Sequence, residues 1–406
     1  MPETSDKIHD IVVVGAGPSG LTAALLFASA GFETVLVAPA VNLQDGRTTA
    51  LLQDSVTLFE QIGVWESLRG LATPLSKMRM IDDTGRLVRA PEVTFDSAEL
   101  DLEAFGYNLR NKDLNRILAE TTREQANLTL VEDLAGSYDV GEENVAVFCQ
   151  NGVPIRARLL VAADGRNSKA REAAGIELRR WSYPQVAVVL NLEHDRPHND
   201  TSTEFHTPTG PFTLVPLPGR SSSLVCVVTP DQAETLKAMS ENDLALELEH
   251  RAHSILGKFR IASKPQSFPL SGLSAKSLVG PRLALIGETA HVFPPIGAQG
   301  LNLGLRDVAS LGELLTSARA TGADIGSAQV LLRYESDRRA DISTRTFAVD
   351  ALNRSLLTDF LPVQIARSAG LYLADKVPPL RRLLMREGIA PGTKRSKVLP
   401  VRDGVY

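Results

Sequence analysis

The sequence predicts an α/β fold with a parallel, helix-flanked sheet at its start, a mostly antiparallel second sheet, and a helical C-terminal region. Three observations predict it. A short apolar run, a glycine-rich turn, an apolar helical stretch and a second apolar run follow one another over residues 11–37. Composition then changes after Trp181 to alternating, β-branched segments separated by Pro and Gly. Finally, residues 328–390 carry a helical pattern with few breakers.

Ile11–Val14 reads as a buried parallel strand, Leu21 to Ala30 as a helix stopped at Gly31, and Thr34–Val37 as a second buried strand. Together they make one βαβ unit. Residues 48–70 read as helix, and 77–95 as short strands with a turn at Asp83-Thr84-Gly85. Leu109 to Glu124 reads as helix. Leu128–Val131, Val145–Cys149 and Arg158–Ala163 read as strands. Beyond Trp181, segments 185–193, 203–206, 212–217 and 223–229 form the expected antiparallel sheet, interrupted by one helix from Asp231 to Leu256. Leu283–Ile286 is a further buried strand, and a long helix runs from Asn302 to Ala318. These segments divide into a discontinuous first domain (8–75, 105–180, 275–350), a second domain (76–104 and 181–274) and a helical region over 351–390.

The chain has 406 residues, 43% hydrophobic and 22% charged, with a net charge of −5. Such a length buries a large core without staples. The charge argues against a nucleic-acid partner, which needs a basic surface. The two cysteines, Cys149 and Cys226, stand in no CxxC pair, so neither a disulfide framework nor a zinc site is expected. His194, His198 and His206 lie near one another in sequence, but no Cys or paired acid completes a metal site. Met1 to Asp10 lack the features of a secretory signal, and no run of 18 uncharged apolar residues occurs. The expected location is the cytoplasm, with a peripheral place at the inner face of the membrane left open.

Gly15-Ala16-Gly17-Pro18-Ser19-Gly20 is a GxGxxG turn between strand and helix, the context in which that motif binds a dinucleotide. The first glycine makes the turn, the second lets pyrophosphate approach the backbone, and the third lets helix and strand pack closely. The positive end of the helix faces the phosphates. One part is missing. Ala38 stands where an acid usually holds the ribose at the end of the second strand. Losing that partner costs about 1–3 kcal/mol, or roughly ten- to a hundredfold in affinity.

Two more clusters follow. The first is Ala162-Ala163-Asp164-Gly165-Arg166-Asn167-Ser168. The second is Leu285-Ile286-Gly287-Glu288-Thr289-Ala290-His291, continuing through Pro294-Pro295-Ile296-Gly297-Ala298-Gln299-Gly300-Leu301-Asn302. With these three motifs in this order, residues 10–390 resemble the flavoprotein aromatic hydroxylases. Arg47 to Leu51, Ile62 to Trp65 and Gly300 to Gly304 resemble the branch that hydroxylates the ring of ubiquinone precursors.

The resemblance implies FAD as cofactor, with NAD(P)H or an electron-transfer protein as reductant. It implies hydroxylation of an aromatic, polyprenylated phenol through a flavin C4a-hydroperoxide formed with molecular oxygen. Gly15, Gly17 and Gly20 would hold the pyrophosphate, and Arg47 the ribose and phosphate side. Arg110 or Asn111 would lie beside the flavin, Asp164 and Gly165 near the pyrophosphate. Glu288, after Gly287, would meet the ribitol or ribose hydroxyls in place of the family's usual aspartate. Pro295, Gly297, Gln299, Gly300, Leu301 and Asn302 would wrap the isoalloxazine ring, where a helix N-terminus stabilises the charge of reduced flavin.

No side chain is assigned a catalytic role. His291 reads as structural, Ser168 lacks a nucleophile elbow, and Arg171 is either a cofactor contact or a surface charge. Trp181 and Tyr183 read as core. The basic, amphipathic stretch with Arg367, Lys376, Arg381, Arg382 and Arg386 reads as a packed helix, or as a surface that docks on a membrane or on a quinone-synthesis complex. Three alternatives stay open: a hydroxylase of another small aromatic compound, a flavin reductase of isoprenoid type, and an FAD-poor assembly subunit.

Overall fold

The computed structural model describes residues 7–41, 43–86, 89–150, 152, 154–294, 299–357, 370, 372–373 and 376–389. Five strands form a parallel core in the order Leu283–Leu285, Ile155–Ala162, Ile8–Val14, Thr34–Ala38, Leu128–Glu132. The central strands are apolar and buried on both faces, as the inner strands of a parallel sheet are. Val13, Leu36 and Val161 are fully buried. The helices Pro18–Ser29 and Gln299–Ala320 pack on one another beside this sheet. Gly312 allows that approach, since a Cβ there would meet Leu26 Cδ2 at 2.6 Å.

The second sheet has nine strands and is antiparallel apart from one parallel pair, Thr201–Thr207 with Lys77–Asp82. Its centre is the 17-residue strand Leu178–His194, paired with Ser221–Val228 and Gln266–Ala275. The alternation read after Trp181 therefore does describe this sheet, although the strand begins three residues earlier. Trp181 packs on Gly272, where a Cβ would come within 2.0 Å of its ring.

Three helical expectations are corrected. Residues 48–70 do not form one helix. Thr48–Leu52 is a strand paired with Gly106–Arg110, and the helices Gln53–Gln61 and Trp65–Arg69 follow it. The strand forms because Gly106 lets the two backbones close up: a Cβ at Gly106 would meet the Leu51 carbonyl oxygen at 2.1 Å. The helix expected from Leu109 accordingly begins at Asn111. Likewise Asp231 to Leu256 holds two helices, Pro230–Ala238 and Glu241–Arg251. The break comes at Ser240, whose side chain accepts the Asp243 backbone N–H and caps the second helix. Near the C-terminus, Ala328–Leu357 and Pro378–Ile389 are helical as expected.

Candidate active site

The three glycines of the first turn do three different things. Gly15 has φ +110°, and a Cβ on it would strike the Ala163 carbonyl oxygen at 2.3 Å. Gly20 is as tight, with the Gly15 carbonyl oxygen 2.0 Å from its ideal Cβ position. Gly17 is the opposite case: nothing lies within 4 Å of its added Cβ, and it lines a cavity of about 1430 Å³. Gly17 is also the N-cap of Pro18–Ser29 and brings no side-chain cap, so the first N–H groups of that helix have no side-chain acceptor at the cap. A bare backbone, a helix N-terminus and open space together suit a pyrophosphate.

From this turn the cavity runs past residues 45–50 to the inner face of the antiparallel sheet. That segment is fixed at both ends. Asn191 Nδ2 donates to the Gly46 carbonyl at 3.2 Å and Thr48 Oγ1 donates to Ser223 Oγ at 2.9 Å, both toward the second sheet. Asp45 holds the Arg47 side chain through Nε to Oδ1 at 2.9 Å, Nε to Oδ2 at 3.2 Å and Nη2 to Oδ2 at 2.7 Å, and accepts from the Arg47 backbone N–H and from Asn111 Nδ2, each at 3.0 Å. Burial alone would push the Asp45 carboxyl up, but these donors outweigh it and hold it at about 2. The Arg47 guanidinium also lies 5.5 Å from the centre of the Phe268 ring. Asp45 was not singled out from the sequence.

Asn111 lines the cavity, whereas Arg110 is exposed and does not. Gly165, at φ +81°, faces the cavity, while Asp164 works behind it. Its carboxylate accepts the Ala170 backbone N–H at 3.2 Å and the Thr289 hydroxyl at 3.3 Å. Arg171 is neither a cavity contact nor a surface charge. It is fully buried and donates to the carbonyls of Thr289 (2.8 Å) and Arg166 (3.0 Å), tying the second motif to the third.

Gly287 lines the cavity with φ +60° and packs with Gly304 around Ser19. Glu288 stands at the rim, 60% exposed, with Arg166 Nε 3.8 Å away. An exposed pair of this kind is worth about 0–1 kcal/mol, so the carboxylate is free to turn toward a ligand hydroxyl. Ala38 is buried at its strand end, and Glu132 occupies the paired position one strand over.

The third motif then opens the helix Gln299–Ala320, whose Gln299, Gly300 and Leu301 line the cavity. Asn302 does not. Its amide is spent on the fold, accepting from the Leu52 N–H (2.8 Å) and the Ser55 hydroxyl (2.7 Å) and donating to the Ala50 carbonyl (2.7 Å). A side chain with all these bonds fastens the helix to the strand Thr48–Leu52. Gln299 accepts a hydrogen bond from Arg345. Pro295 and Gly297 lie outside the described residues, as does Arg367. His291 is buried and bonded through Nε2 to Asp307 Oδ2 at 2.7 Å, away from the cavity lining.

The FAD binding domain family matches residues 9–347. The chain belongs to that family. It is an FAD-dependent monooxygenase of the aromatic hydroxylase class, in the branch of the ubiquinone-biosynthesis hydroxylases. It is 35% identical to ubiquinone hydroxylase UbiL of Rhodospirillum rubrum, over 95% of this chain and 90% of that protein. It is 30% identical to the 3-demethoxyubiquinol 3-hydroxylase of Escherichia coli, over 93% of this chain and 97% of that one. The fold of this hydroxylase also matches the crystal structure of p-nitrophenol 4-monooxygenase PnpA from Pseudomonas putida, with a TM-score of 0.77 and 22% identity, over 94% of this chain and 97% of that one. The open backbone at Gly17 and the uncapped helix fit the cofactor that the family binds.

Proposed function

We propose that this monooxygenase hydroxylates the ring of a polyprenylated phenol in ubiquinone biosynthesis. The cavity carries the reading. At about 1430 Å³ it exceeds the roughly 300–1,000 Å³ that a single drug-sized ligand takes, leaving room for cofactor and substrate together. Its far end is lined by Met78, Phe95, Phe105, Leu384 and Met385, an apolar wall suited to an isoprenoid tail. The relatives named for ubiquinone hydroxylation support the same substrate class.

Bound FAD supplies the activation of oxygen. The chain supplies the rest. Gly17 and the start of Pro18–Ser29 hold the pyrophosphate. Arg47 holds the ribose and phosphate side, Gln299, Gly300 and Leu301 surround the ring system, and the antiparallel sheet excludes water from the reacting face. Electrons come from NAD(P)H or from a carrier protein.

Each buried methylene is worth about 0.8 kcal/mol, so one five-carbon prenyl unit should tighten binding at least tenfold. Steady-state assays of the FAD-loaded protein with 2-prenylphenol and with phenol will check this. The expected result is oxygen incorporation into both, with a KM at least about tenfold lower for the prenylated compound. Equal KM values would count against the prenyl-tail reading, and turnover without oxygen consumption would favour a reductase.

The same reading carries a membrane contact. The helix Pro378–Ile389 lines the apolar end of the cavity with Leu384 and Met385, and it exposes Leu383 (54%) and Leu384 (46%) beside Arg382 and Arg386. No helix among the described residues is long and apolar enough to cross a membrane, so the contact would be peripheral. Co-sedimentation with vesicles containing anionic lipid should pull the protein down, and Leu383→Asp should lower the bound fraction several-fold. Protein that stays wholly in the supernatant would leave a partner enzyme of quinone synthesis as the surface's use.

A further inference from the structure

Of the three histidines that cluster in sequence, His194 and His198 stay together, with ring centroids 5.9 Å apart, and His206 lies on another strand. His194 is bonded to the Arg196 carbonyl and Ser222, and His198 to the Leu217 carbonyl. No cluster of metal-ligating residues occurs among the described residues. His206 differs, because it lines the cavity together with Glu204, two residues earlier on the same strand face.

We propose that Glu204 and His206 form the acid–base pair that takes the hydroxyl proton of the phenol; this rests on the phenol-hydroxylase reading above. Three observations carry it. His206 Nε2 lies 2.9 Å from Glu204 Oε1, and the Thr213 hydroxyl donates to Glu204 Oε2 at 3.3 Å, so the carboxylate is held on both oxygens. The pair stands in an apolar wall. Val189, Val225, Thr213, Glu204 and Met80 pair in one row across the sheet, and all five line the cavity. Finally, the Glu204 side chain is 19% exposed and that of His206 only 2%, so the carboxylate meets the cavity contents and the imidazole backs it. A carboxylate–imidazole pair in such a wall costs desolvation and gives no packing that two apolar residues would not give. Its position is explained by a ligand proton.

The chemistry requires such a group. Phenolate is a far better nucleophile toward activated oxygen than phenol, and a phenol ionises near pH 10, so at neutral pH about one molecule in a thousand is ready. The O–H bond breaks, its proton passes by way of the Glu204 carboxylate to the imidazole of His206, and the electron pair stays on oxygen and is shared into the ring. The ring carbon would then bond to the outer oxygen of the unit activated at the flavin, while the O–O bond breaks and its electron pair goes to the inner oxygen. That carbon afterwards loses its hydrogen as a proton, which the inner oxygen takes up to leave as water, and the pair returns its proton to the original oxygen, restoring the aromatic diol. Glu204 stabilises the imidazolium in between. Other charged groups near the pair are few. Asp82, the register partner of His206, has its carboxylate engaged by Thr84 and Ala90, and Arg79 is 4.0 Å from Glu92.

The test uses FAD-loaded full-length protein, reduced with dithionite and mixed in single turnover with oxygen and 2-prenylphenol. Wild type is compared with His206→Asn and Glu204→Gln between about pH 7 and pH 9.5, below the phenol's own ionisation. Loss of a general base should slow hydroxylation about a hundredfold or more near pH 7, and divert oxygen to hydrogen peroxide. The defect should shrink as pH rises, because solvent then ionises the phenol; a purely structural defect would not be repaired in this way. Variants that hydroxylate at the wild-type rate overturn the pair, and so does a loss of equal size at every pH. A yellow, FAD-loaded wild type that hydroxylates no phenol overturns the substrate reading and the pair with it.

Discussion

Gly17→Val should give a folded protein that binds FAD at least about a hundredfold more weakly, whereas Gly20→Val should not fold. The two glycines lie in one turn, three residues apart, yet their surroundings are opposite. At Gly17 the added side chain enters empty space, so the fold loses nothing. That space is where pyrophosphate meets the backbone, and two lost hydrogen bonds to a charged group at about 1.5–3 kcal/mol each exceed a hundredfold in affinity. At Gly20 the first new atom would stand 2.0 Å from the Gly15 carbonyl oxygen and 3.1 Å from Ala163 Cβ. Backbone cannot yield as a flexible side chain does, so the helix must leave the sheet, at about 3 kcal/mol or more. Circular dichroism and a titration with FAD separate the cases: a native spectrum without yellow colour for Gly17→Val, and loss of the native spectrum for Gly20→Val. A Gly17→Val protein that binds FAD as wild type does would place the pyrophosphate elsewhere.

The difference between those two glycines is legible in the sequence, because the motif's spacing encodes which atoms approach. The parallel core is legible for a related reason: its strands are continuous apolar runs, and its first three elements are neighbours in the chain. Thr48–Leu52 was not legible, since the partner that makes it a strand, Gly106–Arg110, lies more than fifty residues away. The roles of polar residues were harder still. Asn302 was placed at the flavin by its motif, but its side chain fastens a strand. Asp45 and the pair Glu204–His206 carry no motif. Their meaning depends on which face of a loop or strand meets the cavity, and that is set by the packing of two sheets rather than by local pattern. Arg171 shows the same limit, because nothing in its helix tells that the guanidinium turns inward to two carbonyls.

Asp307→Asn should cost about 3–5 kcal/mol of stability at neutral pH, the usual result of breaking a buried ion pair from one side. Asp307 is fully buried in Gln299–Ala320. It accepts from Arg338 Nε at 2.8 Å, from His291 Nε2 at 2.7 Å and from the Gly287 backbone N–H at 3.0 Å. An ionised carboxylate only accepts, and the Arg338 guanidinium beside it favours that charged form. Burial by itself would raise its pKa, but His291 and Arg338 outweigh burial, and the net displacement is downward. A carboxyl lowered on folding stabilises the protein above its unfolded pKa near 4, and that stabilisation is lost as pH falls through the folded value. The gap between wild type and Asp307→Asn should therefore be constant through the neutral range and close in acid. Urea unfolding at pH 7 and at successively lower pH measures it; a gap under about 1 kcal/mol at pH 7, or one that persists in acid, would contradict the assignment. The cofactor side should respond as well. Because the Gly287 N–H that Asp307 holds belongs to a residue lining the cavity, the variant should bind FAD less tightly under conditions where it is still folded. The same carboxylate thus joins the stability of the core to the shape of the flavin site.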